Sequence, residues 1–103
     1  MSNATATTRL AMEELASTIC DRLSLPIQAA LFASLQGTPQ ETTAECLGVT
    51  RQTVASYAKR GVEVMRLYQD EVAPDEYAEL SKALIWRLER GWVEVTRRVG
   101  GSL

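Results

Sequence analysis

The chain has 103 residues, 46% of them hydrophobic, with a net charge of −2 and no histidine. That is enough apolar material for one small packed domain and too much for wholesale disorder. Without histidine most acid–base, triad and zinc arrangements fall away, so no metal and no cofactor is expected.

Met1 to Thr8 is small and polar and lacks a secretory pattern. Residues 1–8 are expected to be disordered, and no apolar run reaches the length of a membrane-spanning helix. The expected compartment is the cytoplasm. Leu10 to Leu23 reads as a first helix, with Met12, Leu15, Ile19 and Leu23 in one stripe. Ser24 and Pro26 break and restart the chain. A second helix is expected over 26–36, with Ile27, Ala30, Leu31 and Leu35 inward, ending at Gly37.

Residues 38–60, TPQETTAECLGVTRQTVASYAKR, read as a helix-turn-helix. Thr38 as cap, Pro39 at the first helical position and Glu41 three residues after the cap spell a capping box. Ala44 and Leu47 face inward. Gly48 supplies the left-handed residue that lets the chain leave the helix. Thr43 occupies a position that is more often apolar. Thr50 caps the next helix, on which Val54 and Tyr57 recur at helical spacing. The outer face of that helix then carries Arg51, Gln52, Thr53, Ser56, Lys59 and Arg60. Such a helix fits the DNA major groove, where Arg suits guanine and Gln suits adenine. Lys59 and Arg60, further along, suit phosphates. The bland alternative, an ordinary crossed helix pair, leaves that polar face unexplained.

Val62, Met65 and Tyr68 continue the apolar face, so one long helix to about Gln69 is expected despite Gly61, with a bend there as an option. Pro74 starts a new element. Tyr77, Leu80, Leu84, Leu88, Trp92, Val95 and Val99 are spaced 3, 4, 4, 4, 3, 4, a helical stripe. A hairpin turning at Glu89-Arg90-Gly91 is the alternative, favoured by Val93, Val95 and Thr96. In either form 74–99 is read as a dimerisation segment, with Tyr77, Leu80, Leu84, Leu88, Trp92 and Val95 at the interface. Residues 100–103 are expected to fray. The result is an all-α chain: a helical domain over 9–73 with a dimerisation tail.

Charge is unevenly spread. Gly48 to Tyr68 has four bases against one acid, Glu63, whereas Gln69 to Leu80 has five acids and no base. The acidic stretch, like Glu13-Glu14 and Asp75-Glu76, reads as solvated helix surface. A basic helix thus sits in an otherwise acidic chain, and acidic patches on the far side would help orient the protein on DNA. Cys20 and Cys46 lack CxxC spacing and read as two reduced, partly buried thiols, with a redox pair the minority reading.

These residues resemble the small plasmid repressors of the TrfB/KorA type. The resemblance rests on Arg9-Leu10, Gly37-x-Pro39-Gln40, Leu47-Gly48-Val49-Thr50-Arg51 with Val54, Arg60, and Pro74-x-x-Tyr77-Ala78. It implies a helical, dimeric repressor on a palindromic operator at a promoter, with Gln40, Arg51, Ser56 and Arg60 at the family's operator contacts. Gln52 stands where the family has a small residue and Ser56 where it has a longer amide, which implies a different operator sequence. The chain after Ala83 matches poorly. The motif also looks like the last DNA-binding region of sigma factors, which makes RNA polymerase, or a second regulator, an alternative partner. A helical protein-interaction module is the reading from another class. An enzyme is not expected, since no nucleophile–base pair or phosphate-cradling glycine loop is present.

Overall fold

The computed structural model describes residues 6–100. They form five α-helices and, among the described residues, no strand: α1 (Ala6–Asp21), α2 (Leu25–Leu35), α3 (Gln40–Leu47), α4 (Arg51–Gln69) and α5 (Pro74–Gly100). The expected all-α class is the observed one. Two terminal expectations shift: residues 6–8 already belong to α1 and Gly100 closes α5, while 1–5 and 101–103 lie outside the described residues.

Helix α2 is the hub. Its Ala29, Ala30, Leu31 and Ala33 are all buried, as suits a helix apolar on most sides. It packs against α3, α4 and α5. Two cores result. The larger gathers Met12 and Ile19 of α1, Leu23 of the connection after it, Leu31 of α2, Val64 and Met65 of α4, and Leu80, Leu84 and Leu88 of α5. The second lies under the α3–α4 pair and is built on Ala29, Ala30, Leu47 and Val95, with Val49, Tyr57 and Trp92 packed against it.

Helix α5 runs unbroken through Gly91, so the hairpin alternative is overturned. Burial of Leu80, Leu84, Leu88 and Val95 along one helical face outweighs the strand preference of Val93 and Val95. Thr96 adapts by donating its hydroxyl to the Trp92 carbonyl at 2.8 Å. Gly91 serves as a point of close approach, not as a turn. A Cβ there would fall 2.8 Å from Cβ of Gln28. Gln28 in turn donates its Nε2 to the carbonyls of Cys20 and Leu23, 3.0 Å each, tying down the end of α1.

The same packing corrects the role expected of the tail. Leu80, Leu84 and Leu88 are core of this chain, Val95 is buried in the second cluster, and Trp92 packs there, 6.1 Å from the Phe32 ring. Only Tyr77 of the expected interface is exposed, its hydroxyl accepting from Gln69 Nε2 at 2.6 Å. Helix α5 lies along α1 and α2 and uses the stripe up. The division at Ala73 therefore separates two parts of one core.

Helix α4 continues through Gly61 to Gln69, as its pattern predicts. Gly61 is buried against Leu31, whose Cβ would lie 3.0 Å from an added methyl. Among the described residues, no helix is long and apolar enough to cross a membrane.

Candidate nucleic-acid interface

The turn between α3 and α4 is built as its sequence dictates. Gly48 has φ +68° and ψ 34°, the left-handed conformation that glycine takes without a Cβ penalty. With it the Val49 N–H reaches the Ala44 carbonyl at 3.0 Å and the Gly48 N–H the Glu45 carbonyl at 3.3 Å, which satisfies carbonyls that the helix end leaves open. Thr50 then caps α4, its Oγ1 accepting the Thr53 N–H at 3.1 Å. The two hydroxyls also share a 2.9 Å bond, so Thr50 and Thr53 are occupied with each other in the cap.

The start of α3 differs from expectation. Pro39, not Thr38, is the cap residue, α3 begins at Gln40, and no side chain caps it. The capping box is not formed. Thr43 supplies another fastening: it is 1% exposed, and its hydroxyl donates to the Pro39 carbonyl at 3.2 Å. A buried hydroxyl bonded within its own helix explains how a polar residue fits this usually apolar position.

Ala44, Leu47 and Val54 are buried as predicted and Tyr57 is half-buried. Gln40, Arg51, Gln52, Ser56, Lys59 and Arg60 are all exposed, and Thr53 is half-buried. At 3.6 residues per turn, Gln52, Ser56, Lys59 and Arg60 fall within about 60° of one line along α4. Arg51 does not: it lies about 140° round from Ser56, back toward α3. There its Nη1 meets Glu41 Oε1 at 3.5 Å. Among the described residues Lys59 and Arg60 have no such carboxylate. Glu63 follows on the Ser56 line, so the run from Arg51 to Arg60 is free of acids until Glu63 interrupts it, with Arg66 exposed beyond, about 20° round from Lys59. That run is ten residues, about 15 Å of helix, comparable with the roughly 12 Å width of a major groove.

Two contributors to this site escape a reading of the motif alone. Glu41 is one; its signal was an acid in the first turn of one helix and a base in the first turn of the next. The other is the end of α5. Val95 and Trp92 sit in the cluster beneath α3 and α4, and Val99 lies so close to Gly48 that an added Cβ would be 3.5 Å from its Cγ1. The turn is therefore braced from below by a helix some fifty residues further along the chain. Nothing in the local sequence of either segment signals that contact.

The geometry defines a helix, a tight glycine turn and a second helix with an exposed polar face, the arrangement of a helix-turn-helix unit. Compared with protein-family models, curated proteins and solved structures, the chain has no match in any of the three.

Proposed function

We propose that the protein is a sequence-specific DNA-binding transcriptional repressor, acting as a dimer on a palindromic operator with α4 as its reading helix. One observation carries the reading: Gln52, Ser56, Lys59 and Arg60 line an exposed face of a helix whose start is fixed by the Thr50 cap and the Gly48 turn. Amide and hydroxyl groups toward the start of α4 suit base edges, and the two cations beyond them suit phosphates. Glu63 disfavours laying the rest of the helix along the backbone. The resemblance to TrfB/KorA-type repressors supports the same role, and such a role belongs in the cytoplasm, with the DNA. Gln40, exposed at the start of α3, is the family-implied contact outside α4.

Selection of bound sites from random DNA tests the proposal. An enriched inverted repeat is expected, and no enrichment would sink it. Gln52→Ala should cost roughly 1–3 kcal/mol and relax preference at one base pair, while Lys59→Ala should weaken all sites alike. With four cations per protomer between Gly48 and Tyr68, the log–log salt slope should be no steeper than about −7.

A further inference from the structure

With the leucine stripe buried, the opposite face of α5 is left to solvent. At its centre stands Trp86, 61% exposed, with Val93 beyond it, 54% exposed. Isolated apolar residues on a surface need no explanation. Here they share one line with a particular order of charges. Within about 40° of Trp86 around the helix lie Asp75, Glu79, Lys82, Arg90, Val93 and Arg97. The N-terminal end of this line carries two acids, and the C-terminal end carries two arginines.

We infer that this face is a self-association surface, on which a second copy of the chain packs its own α5 antiparallel, with the two Trp86 side chains near the twofold axis. The inference deepens the dimer part of the reading above by naming where the copies meet. Asp75 and Arg97 each lie eleven residues from Trp86, on opposite sides. Antiparallel pairing about Trp86 therefore brings Asp75 of each copy to Arg97 of the other. Arg97 would be shared between that acid and Glu94 of its own chain, which it holds at 2.7 Å, and the side chain of Glu79, only 13% exposed, falls opposite the other copy's Val93. Parallel pairing would set acid on acid and arginine on arginine. The one adverse meeting, Lys82 with Arg90, is softened by Glu79, which holds Lys82 at 3.7 Å within its own chain.

The relief of the surface also fits. Trp86 stands between two open grooves. One, of about 660 Å³, runs between α1 and α5 past Arg9, Glu13 and Ala83. The other, of about 480 Å³, is bounded by Glu89, Val93 and Glu94. Arg90 lies over the Trp86 ring at 5.8 Å, so the indole already carries a cation on one side. Twofold self-complementarity is what an isologous interface requires. Aromatic and arginine side chains at its centre are the types that carry most of the affinity in such contacts.

Sedimentation of the full chain without DNA is the test, with circular dichroism to verify that each surface variant keeps its helix content. The wild type should be a dimer at micromolar concentration and Trp86→Glu a folded monomer. Asp75→Arg and Arg97→Asp should each weaken association at least about tenfold, since each puts like charges together twice per dimer. The double variant should return to within about threefold of wild type. A monomeric wild type, a Trp86→Glu dimer, or a double variant no better than the singles would each overturn the inference. The outcomes are distinguishable: a dimer that selects no site would sink only the DNA reading, whereas a monomer that selects a single half-site would sink this inference and the dimer part of that reading while leaving DNA binding standing.

Discussion

The two cores of this molecule are built on different plans. The larger one is filled by long aliphatic side chains: Met12, Ile19, Leu31, Leu80, Leu84 and Leu88. The one beneath the α3–α4 turn rests on Ala29 and Ala30, with Leu47 and Val95, and Gly91 passes Gln28 beside it. Long side chains bury the most area and supply most of the stabilisation. Small ones contribute little area, but they let helices approach closely and leave few other ways to pack. The first core keeps the chain folded; the second sets where α4 stands relative to α3.

The largest effect should come from removing the helix that serves both. Truncation after Ala73 deletes Leu80, Leu84, Leu88 and Val95 from the two clusters, so the fragment should lose its cooperative thermal transition in circular dichroism. A fragment that still melts sharply would mean the larger core is complete without α5. Next, Leu88→Ala in the first core should cost about 2–5 kcal/mol, with DNA binding at low temperature nearly intact. Gly91→Val should cost less, about 1–3 kcal/mol, yet weaken DNA binding more, because it pushes α5 and α2 apart under the turn. Measuring both variants by chemical denaturation and gel shift breaks the comparison if their two effects run in the same order.

Each region also holds one cysteine, and the pair sharpens the contrast. Burial pushes the Cys20 thiol from its ordinary 9.0 up to about 11, with Arg87 opposing and Asp21 adding to the rise. The folded state therefore holds this proton more tightly than the unfolded chain. The resulting stabilisation is complete below about pH 9 and is lost as pH rises toward 11. Cys20→Ala should flatten the fall in melting temperature over that window. Cys46, half-buried on α3, should react with a thiol reagent in the folded protein while Cys20 waits for unfolding. Equal rates would mean the larger core opens as readily as the turn.

The smallest effect belongs to Glu41→Gln. The Arg51–Glu41 pair is exposed on both sides, at 66% and 77%, so stability should change by less than about 0.5 kcal/mol. DNA affinity should rise a few-fold at low salt, roughly what one exposed ion pair is worth, and the gain should vanish at high salt. An affinity gain that survives high salt would assign Glu41 a role other than holding Arg51.

What was legible in the sequence follows from range. Helix type, the long α4 through Gly61, the Gly48 turn and the Thr50 cap all depend on residues within a few positions of one another. The α5 stripe was legible as a stripe, but periodicity says that a face is covered and not by what. Leu80 and Leu88 looked like an interface for another molecule because α1 and α2 could not be seen beside them. Trp86 is plain in the sequence as a large apolar group of the tail, but that it stands on a face opposite the leucines is hidden by the charges around it. Pro39 took the cap from Thr38 although both residues fit a helix start, a choice of one position that sequence signals do not resolve.

The bracing of Gly48 by Val99 also sets an order in time. On the ribosome α3 and α4 emerge before any of α5. At roughly 5–20 residues per second, the 27 residues of α5 take on the order of one to five seconds to follow. During that interval the turn lacks Val95, Trp92 and Val99 beneath it, and the larger core lacks three leucines. The nascent chain thus carries the polar face of α4 before it can hold that face in shape, and the helix made last is the one that braces it.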